Sequence, residues 1–129
     1  MQPNIIILLA EDEYLVGVSF QDVLEDGGYS VRHVSSGLEA IGVLEEDGCA
    51  VSGVITDIRL GEGPDGWEVA RRAREINASV PIIYTSGDSA HDHAVNGVPD
   101  SLMLQKPFAP AQLVTAISTL LNEVRSQPQ

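Results

Sequence analysis

The stretch IIILLAED, residues 5–12, contains the clearest buried strand of the sequence. Residues 5–9 are apolar without alternation, which is typical of a central strand covered on both faces. Two acidic residues, Glu11 and Asp12, follow closely after this apolar run. Strands of this kind occur in parallel sheets with helices on both sides, so we expect further strands and covering helices along the chain.

Strand-like runs and helical segments alternate along the rest of the sequence. Apolar residues at helical spacing from Val16 to Leu24 predict a helix that ends at Gly27-Gly28, and the capping box Ser36-Gly37-Leu38-Glu39 predicts the start of another. Further strands are predicted at residues 29–34, 51–56, 81–85 and 101–105, and further helices at residues 65–77, weakly at 88–96, and from Pro110 to Val124. Five strands and five helices in this order predict an α/β fold with a doubly wound parallel sheet.

Length and charge limit the classes of function. A chain of 129 residues suits one domain, and no apolar run approaches the roughly 18 residues of a membrane span, so we expect a soluble cytoplasmic protein. The formal net charge of −12, from 7 basic and 19 acidic residues, argues against nucleic acid as a partner. Cys49 is the only cysteine, which excludes an internal disulfide, and no nearby spacing suggests a zinc site.

Polar residues cluster where the predicted strands end. Doubly wound sheets place their sites at the carboxyl ends of the strands, which here carry Glu11-Asp12, Asp57, Ser86 and Lys106. Crowded carboxylates must take up protons or hold a cation, and oxygen ligands with phosphate suit Mg²⁺. A carboxylate can attack phosphorus when nearby charges neutralise the phosphoryl oxygens, and Mg²⁺, Lys106 and the Ser86 hydroxyl would do so.

These residues together resemble the receiver domain of response regulators, the group that includes the chemotaxis regulator. The resemblance covers about residues 4–125 and rests on Glu11-Asp12, Asp57, Asp65-Gly66, Ser86 and Lys106-Pro107-Phe108. It implies a flavodoxin-like, five-stranded parallel sheet in the order 2-1-3-4-5. It also implies that residues 1–129 form a single receiver domain.

The resemblance assigns a role to each matching position. Asp57 resembles the phosphoacceptor, Lys106 the amine that pairs with the phosphate, and Ser86 the switch hydroxyl. A cis Lys106-Pro107 peptide bond is also implied. The metal ligands implied for Mg²⁺ are Glu11 through water, Asp12, Asp57 and the backbone carbonyl of Arg59.

The sequence departs from the family pattern at three places. Met103 stands where many members carry an aromatic switch residue, and Ser86 replaces the more frequent threonine. The loop after Asp57 is one residue longer than the common pattern. Arg59 and Asp88 flank the acceptor, where they can influence the lifetime of the phosphoryl group.

The function implied is a signalling module rather than an enzyme. A histidine kinase or histidine phosphotransfer protein would donate the phosphoryl group to Asp57, and the surface of the fourth helix, fifth strand and fifth helix would then bind a protein partner. One alternative is a pseudo-receiver that binds partners without phosphorylation. Another is a phosphatase of the haloacid dehalogenase type, but that family has a second aspartate at the position of Arg59.

Three other features have simpler interpretations. His91-Asp92-His93 lacks metal-site spacing, because residues two apart on a helix point to different sides, so a solvated face is expected. The charged helix face of Arg71, Arg72 and Arg74 is expected to serve solubility. Trp67 is expected to be a packing residue.

Overall fold

The computed structural model describes residues 4–88 and 92–126 of the chain. Within these ranges, one sheet has the strand order β2-β1-β3-β4-β5, and every neighbouring pair of strands is parallel. The predicted doubly wound sheet is therefore confirmed. The strands are β1 (Ile6–Ala10), β2 (Ser30–Val34), β3 (Gly53–Asp57), β4 (Ile82–Ser86) and β5 (Leu102–Gln105).

Helices connect the strands in the predicted alternation. They are α1 (Tyr14–Asp26), α2 (Gly37–Asp47), α3 (Gly66–Ile76), α4 (His93–Asn96) and α5 (Pro110–Ser126), with a 3₁₀ turn at Gly48–Ala50. The weak helix predicted at residues 88–96 is α-helical over its last four residues, and residues 89–91 lie outside the described ranges. None of the described helices is both long and apolar enough to cross a membrane.

Local sequence signals explain where several helices begin and end. At the start of α2, the Ser36 hydroxyl accepts a hydrogen bond from the Glu39 amide at 3.1 Å, as predicted for the capping box. At the start of α3, the Asp65 carboxylate accepts from the Glu68 amide at 3.0 Å. After α1, Gly28 has a φ of 99°, a left-handed conformation that favours glycine.

The sheet is buried on both faces. Alternate residues of β1 point to opposite faces, so its unbroken apolar run fills two cores. Helices α2 and α3 cover one face, and α1 and α5 cover the other. Members of the α1–α5 core are Ile7, Leu9, Phe20, Leu24, Ile55, Ile83, Leu113, Ile117 and Leu120. This packing fixes the strand ends, and with them the residues that follow the strands.

Two aromatic residues pack together in the core on the α2–α3 face, and one of them, Tyr84, also contacts His93 of α4. Trp67 is buried with its ring centroid 4.7 Å from that of Tyr84, which confirms the prediction of a packing role. The solvated face predicted for His93 is wrong, because its ring lies edge-on to Tyr84 with the centroids 5.6 Å apart. The Nε2 atom of His93 also lies 2.8 Å from the Ser101 hydroxyl. His91 lies outside the described residues.

The arginines of α3 join structural elements instead of only facing solvent. Arg72 forms an ion pair with Glu45 of α2, Nε to Oε1, at 3.2 Å. The Nε of Arg74 donates to the Val80 carbonyl at 2.7 Å, and its Nη1 donates to the Pro99 carbonyl. The prediction of a purely solubilising face is therefore wrong for Arg74, because its guanidinium holds two loops together.

Candidate functional site

Residues from three strand ends meet at one edge of the sheet. Carboxylate oxygens of Glu11, Asp12 and Asp57 all lie within 4.8 Å of one another. The ammonium of Lys106, which follows β5, lies 2.9 Å from Glu11 Oε1 and 3.1 Å from Asp57 Oδ2. Four of the residues singled out from the sequence are thus close together, although they come from distant parts of the chain.

The ion pairs of this cluster are shielded from solvent. Glu11 is 1% exposed and Asp57 is 8% exposed. Burial raises the pKa of Glu11, while the hydrogen bond from Lys106 opposes that rise. Burial alone would lower the pKa of Lys106, but the hydrogen bonds and charges of Glu11 and Asp57 outweigh it and raise the pKa. Lys106 therefore remains a cation at neutral pH.

The turn between β1 and α1 is fixed by several hydrogen bonds to Glu11. Its amide donates to the Val34 carbonyl at 3.0 Å, and its Oε2 accepts from the Glu13 amide at 3.1 Å. Its carbonyl oxygen lies 3.0 Å from Nε2 of His33. Sequence reasoning did not single out His33. The available signal was Gly17, a glycine inside α1 that leaves space for the His33 ring.

The backbone around Asp57 is closely packed. A Cβ atom at Gly66 would lie 2.2 Å from the Asp57 carbonyl oxygen, so only glycine fits there without a shift. The Gly66 amide donates to the Ile58 carbonyl at 2.8 Å, and the Arg59 amide lies 3.4 Å from Asp57 Oδ1. This close approach explains why glycine follows Asp65 in the sequence motif at the start of α3.

Ser86 and Lys106 are joined through the backbone. The Lys106 amide donates to the Ser86 carbonyl at 2.7 Å, continuing the ladder between β4 and β5. Ser86 is buried, and its hydroxyl accepts from the Asp88 amide at 3.2 Å. Asp88 also pairs with Arg59, Oδ2 to Nη2, at 3.0 Å. The Lys106-Pro107 peptide bond is cis, as the resemblance implied.

Tyr84, which sequence reasoning treated only as a strand residue, lies opposite Met103 in the β4–β5 register. The Tyr84 side chain is fully buried, and its hydroxyl accepts a hydrogen bond from the Val98 amide at 3.0 Å. Burial raises the pKa of this phenol. Met103 is only partly buried and packs against the same core. A tyrosine on β4 therefore occupies the space beside the predicted switch position.

Comparison with known proteins decides the family. The family model for the response regulator receiver domain matches residues 7–118. The chain belongs to the response regulator receiver domain family. Receiver domains are signalling domains of two-component systems and interact with histidine kinases. Membership in this family argues against the alternative of a haloacid dehalogenase-type phosphatase. Arg59 agrees with this, because it stands where such a phosphatase has its second aspartate.

Several relatives are similar over nearly the whole domain. The response regulator receiver protein CpdR of Brucella abortus is 36% identical over 89% of this chain and 95% of its own length. A response regulator receiver protein from Sinorhizobium medicae has 51% identity and a TM-score of 0.91, over 94% of this chain and 97% of that chain. The chain spans less of other curated relatives: 12% of the sensor kinase CckA of Brucella abortus and 50% of the regulatory protein YbdJ of Bacillus subtilis.

The acidic cluster fits a magnesium ion. Its three side chains offer only oxygen ligands, which hard cations such as Mg²⁺ prefer. Bound Mg²⁺ would also offset the repulsion between three neighbouring carboxylates. The receiver domain of a sensor histidine kinase from Pseudomonas aeruginosa holds a magnesium ion in its active-site cleft. That domain has 26% identity and a TM-score of 0.77, over 92% of this chain and 98% of that chain.

Proposed function

We propose that Asp57 accepts a phosphoryl group from a phosphohistidine on a histidine kinase or a histidine phosphotransfer protein. The observation that supports this proposal is the position of Lys106, whose ammonium lies 3.1 Å from Asp57 Oδ2 beside the acidic pair. A carboxylate held next to a cation and a potential metal site has the surroundings that phosphoryl transfer requires. Residues 1–129 would form a single receiver domain.

The transfer exchanges one bond to phosphorus for another. A carboxylate oxygen of Asp57 forms a P–O bond as the P–N bond of the donor histidine breaks, and the bonding electrons stay on the imidazole nitrogen, which takes up a proton. Lys106 neutralises charge on the phosphoryl oxygens in the product. The buried position of Asp57 limits access of water to the acyl phosphate, although the side chain keeps 11% exposure for the donor to reach it.

Glu11, Asp12, Asp57 and the backbone carbonyl of Arg59 would hold Mg²⁺. The ion would supply positive charge to the phosphoryl oxygens during transfer. Both Glu11 oxygens already have protein partners, Lys106 and the Glu13 amide, which favours a contact with the ion through water. Asp12 is the exposed member of the cluster and suits direct coordination.

The output is a change in the surface formed by α4, β5 and α5. The Ser86 hydroxyl would move toward the phosphoryl oxygens and leave its contact with the Asp88 amide. Because that amide lies where β4 leads toward α4, the movement would reach the surface that binds a protein partner. The formal net charge of −12 supports a protein partner over nucleic acid.

Phosphorylation can be tested by intact-protein mass after incubation with acetyl phosphate, with and without Mg²⁺. We expect one added phosphoryl group in the presence of Mg²⁺ and none in Asp57→Ala. Asp47→Ala is the matched control, because Asp47 pairs with Arg32 at an exposed site away from the cluster and its loss should not affect labelling.

Two outcomes would contradict the proposal. Equal labelling of Asp57→Ala would place the acceptor elsewhere in the chain. No labelling of the native domain by acetyl phosphate or by a phosphorylated histidine donor would favour the alternative of a pseudo-receiver that binds partners without phosphorylation.

A further inference from the structure

We infer that His33 is a positioning residue for the acidic pair Glu11-Asp12, and that Gly17 is present to make room for it. The inference rests on the proposed magnesium site and adds a residue from β2 to it. His33 would not touch the ion. It would fix the peptide unit from which one ligand, Asp12, extends.

The contact is a directed hydrogen bond to the backbone. His33 Nε2 lies 3.0 Å from the carbonyl oxygen of Glu11. A carbonyl oxygen can only accept a hydrogen bond, so Nε2 must carry the proton and donate. The Glu11 amide is held in turn by the Val34 carbonyl at 3.0 Å. Strand β2 thus binds both the amide and the carbonyl of Glu11.

The carbonyl in this bond belongs to the peptide unit between Glu11 and Asp12. Its orientation therefore determines where the Cα atom of Asp12 lies and which directions its carboxylate can take. Asp12 is exposed and lacks the buried contacts that hold Glu11 and Asp57. The backbone is thus the main source of order for this ligand, and the His33 bond restrains that backbone just before it.

Gly17 gives independent support for the role of the imidazole. It lies inside α1, where glycine costs roughly 1 kcal/mol relative to alanine. Gly17 is buried, and a Cβ atom there would lie 2.2 Å from Cε1 and 2.3 Å from Nε2 of His33. The nearest atoms that conflict with a methyl group all belong to this one ring. The glycine therefore admits the imidazole to the position where it reaches Glu11.

The test separates positioning from folding by using Gly17→Ala and His33→Leu. Dissociation constants for Mg²⁺ would be measured from NMR amide shifts during titration with MgCl₂, and stability from urea unfolding without Mg²⁺. We expect Mg²⁺ binding to weaken roughly tenfold in both variants, at the low end of the effect of losing an outer-shell partner. Gly17→Ala should do so with little net change in stability, because the gain in helix propensity roughly offsets the hydrogen bond that the displaced ring loses.

His33→Gln provides the rescue, because its side-chain amide can donate to the same carbonyl from a similar distance. We expect its Mg²⁺ affinity to lie within about threefold of the native value, whereas an unrescued loss would overturn the role of the hydrogen bond. Tyr29→Phe is the matched control. It removes a contact between Tyr29 and Ser118 of α5, remote from Glu11, and should leave Mg²⁺ affinity unchanged.

The outcomes distinguish this inference from the proposed function. If the native domain binds Mg²⁺, Asp12→Ala abolishes binding, and both Gly17→Ala and His33→Leu bind as tightly as the native domain, the positioning role of His33 is wrong and the magnesium site stands. If the native domain shows no saturable shifts at residues 11, 12 and 57, the proposed site itself fails.

Discussion

Lys106 forms a salt bridge with Glu11, a residue 95 positions away along the chain, with Nζ 2.9 Å from Oε1. The two residues follow β5 and β1, which are separated by β3 and β4 in the sheet. The ion pair therefore spans the edge of the sheet above Asp57. It leaves Glu11 with only 1% side-chain exposure and Lys106 with 23%.

Removal of the lysine charge should destabilise the domain. Lys106→Met leaves the buried Glu11 carboxylate without its cation, and we expect a loss of about 2 kcal/mol in unfolding free energy. This is less than the roughly 3–5 kcal/mol of fully buried pairs, because Lys106 is partly exposed and Glu11 can take up a proton. Urea unfolding at pH 7 without Mg²⁺ measures the change.

The loss of stability in Lys106→Met should become smaller at low pH. Burial raises the folded-state pKa of Glu11, and loss of Lys106 should raise it further. A raised pKa favours the folded state at low pH, and this contribution is lost as the pH rises through the folded-state pKa. The deficit of Lys106→Met should therefore shrink as the pH falls toward 4.5, the ordinary value for glutamate. A constant deficit would contradict the predicted coupling to Glu11.

Magnesium should stabilise the native domain against unfolding. The three carboxylates come together only in the folded state, so Mg²⁺ should bind the folded state alone. At a free Mg²⁺ concentration about 100 times the dissociation constant, this binding should raise the unfolding free energy by about 2.7 kcal/mol. The melting temperature should therefore rise with MgCl₂ at constant ionic strength, as measured by differential scanning calorimetry. Asp12→Ala should lose most of this rise and Asp47→Ala should keep it. An equal rise in Asp12→Ala would refute the site.

Two glycine-to-alanine substitutions in helices should have opposite effects on stability. In Gly66→Ala the new methyl group meets the Asp57 backbone at 2.2 Å, and we expect a loss of about 2 kcal/mol. In Gly42→Ala the new Cβ would meet no atom within 4 Å beyond its own stretch of helix, among the described residues, and we expect a gain of about 0.5–1 kcal/mol from helix propensity. Chemical unfolding measures the stability of both variants. If Gly66→Ala were as stable as the native domain, the backbone around Asp57 would be able to move aside for the methyl group.

Tyr84 should contribute to the decline of stability at alkaline pH. Burial raises its folded-state pKa above the ordinary value of 10.0, although the hydrogen bond from the Val98 amide opposes this. The resulting stability is fully present below pH 10.0 and is lost as the pH rises through the folded-state pKa. Tyr84→Phe should be about 1 kcal/mol less stable at pH 8, where a hydrogen bond is lost. Its unfolding free energy should then fall less steeply above pH 10.0.

Lys106 also has a raised pKa and titrates in the alkaline range. It is retained in both proteins, so the difference between Tyr84→Phe and the native domain isolates the phenol. Parallel pH profiles of the two proteins would show that Tyr84 does not ionise on unfolding in this range.

Activation should not depend on a toggle at Met103. Methionine can fill space through several rotamers, and the adjacent volume in the β4–β5 register already holds the buried Tyr84 ring. We expect Met103→Ala to keep its phosphorylation-dependent NMR shifts in residues 87–95, of which residues 89–91 lie outside the described structure. Ser86→Ala should lose these shifts. Their disappearance in Met103→Ala, with Asp57 still modified, would show that the toggle operates.

Local patterns were sufficient to predict the order of elements. The apolar run of β1, the cap at Ser36 and the glycines after α1 are signals carried by adjacent residues, and each appears in the structure as predicted. The fourth helix was predicted only weakly because it has few apolar anchors. The helix described is four residues long, with contacts from His93 to Ser101 and Tyr84.

The site was predictable in composition but not in its contacts. Strand ends must converge in a parallel sheet, so Glu11, Asp12, Asp57 and Lys106 could be grouped from their positions in sequence. The partners of His93 and Arg74 could not, because both are polar residues on helices, and their partners lie in the loops that lead into β4 and β5. A solvated face was the natural expectation for them, and packing made it wrong.

The sequence by itself determined the alternation of strands and helices, the burial of the sheet on both faces and the set of polar residues at its carboxyl edge. These properties follow from periodicity and capping, which act over a few residues. Only the tertiary structure decided that Lys106 pairs with Glu11, that His33 enters the space left by Gly17 and that Tyr84 holds the Val98 amide. Such contacts depend on how helices pack across the sheet, and that geometry arises from the whole core rather than from any one segment.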